Sequence, residues 1–190
     1  MESTINFKIE LGIPKRSFKY KGHGQSPALT DSELTALFFG GGFLTSRDRL
    51  LFAICLYTGC RISEACKLEQ DDIDLEAGVI TFKAGTTKTK KTRQVAINPQ
   101  LLPYLDDYPW PDNSRYLFPG KHAWKALGRW AADAVLRGAC DRVGLQGVST
   151  HSFRRTFITR LSGEGYSAAQ ISQATGHQQV STLMHYFDEV

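Results

Sequence analysis

The chain is poor in sulfur: its 190 residues include four cysteines and two methionines. The cysteines are Cys55, Cys60, Cys66 and Cys140, none in a C-x-x-C pair and three in one apolar, helix-like stretch. That pattern argues against a zinc ribbon and reads as buried free thiols in a reduced, cytoplasmic setting. Long hydrophobic runs are also missing. The longest, Leu50 to Tyr57, falls far short of the ~20 apolar residues of a membrane span. The opening segment MESTINFKIELGIPKR has no apolar core followed by a cleavage site, so no secretory leader is expected. No glycine-rich phosphate loop is present, and no G-x-G-x-x-G follows a strand, which removes a nucleotide cofactor. His177 and His185 stand eight apart without an H-E-x-x-H or a cysteine-rich ligand set, so no metal is expected.

What is present is an ordinary apolar fraction, 42%, on a mildly basic chain of net charge +4 and pI about 8.9. A folded chain of this length buries roughly 70% of its unfolded surface, so no metal or disulfide staple is required. The charge suits a polyanion partner without identifying one.

Residues 1–26 are basic and glycine-containing, through Lys15, Arg16, Lys19, Lys21, Gly22 and Gly24, and predict a flexible N-terminal arm. Thr30 to Glu33 form a capping box that should open a helix to about Phe39, ended by Gly40 to Gly42. Thr45 or Ser46 should start a second helix through the apolar run to Tyr57, and Ile62 to Leu68 a short third. Strands are expected at Asp71 to Leu75, Val79 to Lys83 and Arg93 to Ile97, forming a small antiparallel meander with one long basic turn. Further helices are predicted at Pro99 to Leu105, Lys121 to Leu136, Thr150 to Leu161, Ala168 to Thr175 and Val180 to Phe187. The fold class is therefore mainly α with a small antiparallel β-sheet.

Five features could carry chemistry. In Thr58-Gly59-Cys60-Arg61-Ile62-Ser63-Glu64, the helical spacing lets Glu64 hold the Arg61 guanidinium; a plain surface ion pair would look the same. The hairpin from Lys83 to Arg93 holds Lys83, Lys88, Lys90, Lys91 and Arg93 and no acid. It is either a solvated loop or a hairpin that meets DNA phosphates. His151-Ser152-Phe153-Arg154-Arg155 places His151 and Arg154 on one helix face, pairing a proton acceptor with a phosphate fork. Thr175-Gly176-His177 sets a histidine after a glycine turn. Tyr186 stands nine residues further on, where a tyrosine is ordinarily a core or rim aromatic.

The order of these pieces resembles the tyrosine recombinase, or phage integrase, family from about Pro27 to the end. TGCRISEACKL is similar to its first arginine box, TKTKKTRQVAI to its lysine-bearing hairpin, HSFRRTFITRL to its H-x-x-R box and TGHQQVSTLMHYF to its G-H box and nucleophile. The resemblance implies the catalytic-domain fold over 27–190 and a DNA strand transferase that works without a cofactor. It implies Tyr186 as nucleophile, Arg61 and Arg154 as the phosphate clamp, His177 as a further hydrogen-bond donor, His151 as base and Lys88 as acid. Glu64 would support Arg61, and Lys83, Lys90, Lys91, Arg93 and Arg155 would contact double-stranded DNA. A homotetramer on DNA is implied, with a monomer when free. Two other outcomes share the fold: a catalytically idle DNA-binding regulator, and a topoisomerase-like nicking-closing enzyme. Relatives usually carry a separate helical clamp before this region, where 26 residues stand here, and many carry a tail beyond the tyrosine, where four do.

Overall fold

Thr30 opens the first helix, α1 (Asp31–Phe38), with its backbone N–H donating to Glu33 and Glu33 N–H donating back to its hydroxyl, 2.9 and 3.3 Å. Thr45 caps α2 (Ser46–Thr58) in the same way, accepting from Asp48 N–H at 3.1 Å. Every residue of α2 from Leu50 to Cys55 is fully buried. A helix apolar all round belongs at the centre of the domain, and α2 packs there against α3 (Ile62–Ala65), α4 (Leu102–Asp107) and α6 (Thr150–Gly163). The computed structural model describes residues 26–87, 90–177, 179, 181 and 183. The predicted arm up to residue 25, most of the predicted helix Val180 to Phe187, and both Lys88 and Tyr186 lie outside the described residues.

A three-stranded antiparallel sheet, β1 (Ile73–Asp74), β2 (Val79–Phe82) and β3 (Arg93–Ala96), is inserted between α3 and α4 in the order β1-β2-β3. Ile80 pairs with Val95 and Phe82 with Arg93. Ile80 and Phe82 alternate inward and are fully buried, so one face of the hairpin joins the core. The remaining helices are α5 (Arg129–Val143) and α7 (Ala168–Thr175).

Aromatic packing seats α6. Phe43 stacks on Phe52 with ring centroids 4.7 Å apart, and Phe153 meets Phe52 at 5.1 Å. Phe153 lies between Ser152 and Arg154, so its burial against α2 fixes the helix rotation that presents His151 and Arg154.

Three expectations need correction. The strand expected from Asp71 is shorter, because residues Gln70–Asp72 form a 3-10 turn in which the Asp72 carboxylate accepts from Glu69 N–H at 2.9 Å. The helix expected over Lys121 to Leu136 lies at Arg129–Val143. Lys121 to Leu127 instead fold into a turn closed by Gly120 N–H to the Lys125 carbonyl and Leu127 N–H to the Phe118 carbonyl, both 2.8 Å. The helix tolerates Gly138 and runs on to Gly144, whose left-handed φ of 71° ends it. The predicted third helix, Ile62 to Leu68, is helical only over Ile62–Ala65 before it tightens into a turn. The four cysteines are free and buried, as the sequence predicts.

Candidate active site

Gly59 sets the first arginine box. It ends α2 with φ 62°, and a Cβ there would lie 2.4 Å from the Phe157 ring, so only glycine fits. Its carbonyl accepts from Arg154 Nη1 at 2.6 Å. The turn then releases Arg61 at the start of α3. Glu64, one helical turn on, accepts from the Arg61 backbone N–H at 3.0 Å and from its Nη1 at 3.2 Å.

Arg61, Arg154 and His151 line one cleft of about 420 Å³, together with Lys67, Arg129, Thr86 and Thr87. Among the described residues no carboxylate lines it. Arg154 is 6% exposed. Burial, and then the positive Arg61 nearby, bring its guanidinium down to about 10, still charged at neutral pH. Its Nη2 stands 3.1 Å from both ring nitrogens of His177. His177 follows Gly176, which ends α7 with φ 69° and whose Cβ position would meet Arg93 Nη1 at 3.2 Å. Burial, then Arg154, Arg61 and Arg93, push the His177 imidazole down to about 3. Burial, then Arg129, Arg154 and Arg61, lower His151 as well. Both rings are therefore neutral at pH 7 when the cleft holds no anion, since each additional positive charge is opposed.

Buried beneath this cationic rim lies a second network. Glu64 is 1% exposed and also accepts from Arg93 Nη2 at 2.6 Å. Burial alone would raise its carboxyl, but Arg93, with Arg61 behind it, outweighs that and holds it below the ordinary value. Arg93 also donates Nε–H to the Ala174 carbonyl at 3.1 Å and lies 4.4 Å over the Phe82 ring. It thus joins β3, α3 and the end of α7.

A cleft lined this way can hold a compact anion carrying negative oxygens. The family described as the phage integrase family matches residues 35–189. The chain belongs to the phage integrase family. It is 34% identical over 151 residues to the putative integrase/recombinase y4qK of Sinorhizobium fredii, covering 78% of this chain and 48% of that protein. It is 30% identical over 172 residues to the tyrosine recombinase XerA of Thermococcus kodakarensis, covering 84% and 57%. The chain spans about half the length of the curated relatives it matches. Among solved structures, its fold is that of XerA recombinase, with TM-score 0.74 at 24% identity over 86% of this chain and 60% of that one. The Tn1549 transposon integrase in complex with a circular intermediate DNA gives 0.73 at 18%, over 86% and 62%. The catalytic domain of bacteriophage HP1 integrase gives 0.62 at 25%, over 85% and 87%.

Within this integrase fold, Arg61, His151, Arg154, His177 and Glu64 lie close together. The expected DNA contacts divide. Lys90 and Lys91 are exposed on the hairpin turn, Lys90 with a left-handed φ of 52°. Lys83 instead pairs with Glu69 at 2.9 Å and Asp72 at 2.8 Å, contacts that raise its ammonium above the usual lysine range. Arg93 and Arg155 are both turned inward, Arg93 to Glu64 and Arg155, 4% exposed, to the Ser26 carbonyl at 3.4 Å.

The sequence motifs assign no role to three residues at the site. Arg129 reaches the cleft from the first turn of α5, a helix the sequence pattern misplaces. Lys67 follows α3 and lines the same cleft. Thr175 places its hydroxyl 2.6 Å from His177 Nδ1. Among the described residues no cluster of histidine, cysteine and acidic side chains could hold a metal ion, and no helix is long and apolar enough to cross a membrane.

Proposed function

We propose that this chain carries the catalytic domain, over 27–190, of a site-specific DNA recombinase or integrase that cleaves and rejoins double-stranded DNA through a 3′-phosphotyrosine at Tyr186. The observation that carries the reading is the cleft shared by Arg61 and Arg154, free of lining carboxylates among the described residues, with His177 bonded to Arg154 and His151 on its wall. Names borne by similar proteins, integrase and recombinase, agree with it, and the transposon integrase of the same fold is bound to DNA.

Cleavage of a phosphodiester concentrates negative charge on the non-bridging oxygens. Two fixed guanidiniums aimed at those oxygens supply rate without a metal, because they need no reorganisation as the charge grows. The Tyr186 phenol, with a solution pKa of about 10, is neutral at pH 7 and must lose its proton during attack. His151 takes that proton, and its lowered basicity keeps it unprotonated and ready. The phenolic oxygen bonds to phosphorus, the bond to the sugar 5′-oxygen breaks, and Lys88 protonates the departing oxygen. The phosphate ester to Tyr186 conserves the bond energy, so a 5′-hydroxyl of another strand reverses the step without a nucleotide cofactor. Lys90 and Lys91 hold the DNA backbone beside the cleft. Four copies assemble on DNA from free monomers to exchange strands, in the cytoplasm.

The test is covalent trapping on nicked duplexes carrying the junction sequences that flank the gene, read on a denaturing gel. Wild type is expected to form a protein–DNA adduct that Tyr186→Phe does not form, with Arg154→Ala slower by about 10²–10³. No adduct from wild type, while a competent relative traps on its own site under the same conditions, removes the proposal.

A further inference from the structure

Hydrogen atoms can be counted around Thr175. Its Oγ1 lies 2.6 Å from the Ile171 carbonyl oxygen and 2.6 Å from His177 Nδ1, and the residue is fully buried. Contacts that short each need a proton between the heavy atoms. The hydroxyl has one hydrogen and the carbonyl has none. The hydroxyl therefore donates back to Ile171, the usual bond of a threonine inside a helix, and the second hydrogen comes from the imidazole. Nδ1 is the protonated nitrogen of the neutral ring. Arg154 Nη2 stands 3.1 Å from both ring nitrogens; with the hydrogen on Nδ1, Nε2 keeps the lone pair and is the nitrogen that can accept from it.

We propose that Thr175 is a positioning residue for His177: it fixes the Nδ1–H tautomer, so that Nε2 holds an Arg154 N–H until an anion enters the cleft, and anion capture is coupled to uptake of one proton at Nε2. This rests on the reading of the cleft as a phosphate site. A neutral ring in this tautomer has no hydrogen to offer an oxygen in the cleft. It becomes a donor there only after Nε2 takes a proton from solvent, while the Arg154 N–H moves from Nε2 to the anion. The groups facing the ring decide the order of events. Arg154 from α6, Arg61 from the turn before α3 and Arg93 from β3 all oppose a positive imidazole, and among the described residues Glu64 favours it. Negative charge on an entering anion, one on a phosphodiester and two on sulfate, shifts that balance toward the protonated ring, and the proton follows. His177 thereby acts as a placeholder for the phosphate oxygen in the free protein and as a cationic donor in the loaded one.

The experiment uses the full chain with ¹⁵N-labelled histidine, following the ring nitrogens across pH with and without sulfate, whose own charge is constant near neutrality. Signals of His177 are assigned by their loss in His177→Gln. Wild type is expected in the Nδ1–H form, and sulfate is expected to shift the His177 titration upward by about one pH unit or more. Thr175→Val, which keeps the shape and removes the hydroxyl, is expected to move the ring toward the Nε2–H form, and Thr175→Ser to restore the wild-type tautomer. On nicked DNA, Thr175→Val should shift the pH profile of adduct formation while Thr175→Ser keeps it. An Nε2–H tautomer in wild type overturns the inference without any variant having to fold. So does a Thr175→Val protein with unchanged tautomer and pH profile. Sulfate-coupled protonation in a wild type that traps no DNA would leave this inference standing and remove the recombinase reading; DNA trapping with the wrong tautomer would do the reverse.

Discussion

Arg93 Nη2 lies 2.6 Å from Oε2 of Glu64, with side chains 9% and 1% exposed. The pair joins residues 29 apart in sequence and lies behind Arg61, which lines the cleft. Arg61 takes the other carboxylate oxygen at 3.2 Å. One buried negative charge therefore fixes two guanidiniums, one turned toward the cleft and one toward the core.

Removing Arg93 leaves that carboxylate buried with one partner. Arg93→Leu is expected to cost about 3 kcal/mol at pH 7, as the loss of one member of a buried pair does. The sign of its pH dependence follows from Glu64, whose folded pKa is lowered. Its stabilisation is present above the ordinary glutamate value near 4.5 and is lost as pH falls through the lower folded value. In the variant, burial works unopposed by Arg93 and the carboxyl protonates earlier. Urea unfolding should therefore show the gap between wild type and variant narrowing as pH falls from the variant's higher folded value toward the lower one of wild type. A gap independent of pH would mean that Glu64 is not the group responsible.

His177 acts in the same direction over a higher pH range. Its folded pKa, about 3, lies below the ordinary 6.5, so the unfolded chain binds the proton that the folded one refuses. Stability of the anion-free protein should fall as pH drops from about 6.5 toward 3, with His151 adding in the same direction. Calorimetry with and without sulfate checks this: the rise in Tm produced by sulfate is expected to be larger at about pH 5.5 than at about pH 7.5. His177→Gln should lose much of that difference. A sulfate effect that is the same at both pH values, or unchanged by His177→Gln, contradicts it.

What the sequence shows here is local, and what it hides is long-range. Thr30, Thr45 and Ser149 announce their helices because capping is decided within three residues. The Arg61–Glu64 contact is legible for the same reason. Arg93 reads as one more cation on a basic hairpin, because its partner lies in a different element and no periodicity connects the two. Arg155 sits beside Arg154 in the motif, yet their side chains leave the helix in different directions, one to the Ser26 carbonyl and one to the cleft. The error over α5 has a similar cause. Its start depends on a turn closed by Phe118 and Gly120, not on a cap written beside Arg129.

Gly59 tests how tightly the fold and the site are tied. Gly59→Ala places a side chain in a left-handed conformation, costing roughly 1–2 kcal/mol, and its Cβ 2.4 Å from the Phe157 ring. Overpacking adds about 1–3 kcal/mol, so a total loss of roughly 2–5 kcal/mol is expected by chemical denaturation. Where the variant still folds, the shifted carbonyl should release Arg154 Nη1 and reduce DNA trapping with it. Full trapping in a folded Gly59→Ala protein would show that this carbonyl does not orient Arg154.

On the proposed reading, the hairpin separates cations that would meet DNA from cations that are already matched. Lys90 and Lys91 are exposed, and on DNA each would release counterions, so replacing both by glutamine should make the slope of log K against log salt shallower by about 1.8. Lys83 is equally tempting from sequence, but Glu69 and Asp72 lie 2.9 and 2.8 Å from its ammonium. Those carboxylates already neutralise it, so Lys83→Gln should leave the salt slope nearly unchanged while loosening the sheet edge. Fluorescence anisotropy over a salt series distinguishes the two. An unchanged slope in the Lys90/Lys91 double variant would place this turn off the DNA, and a loss of about 0.9 with Lys83→Gln would mean that its ion pairs give way when DNA binds.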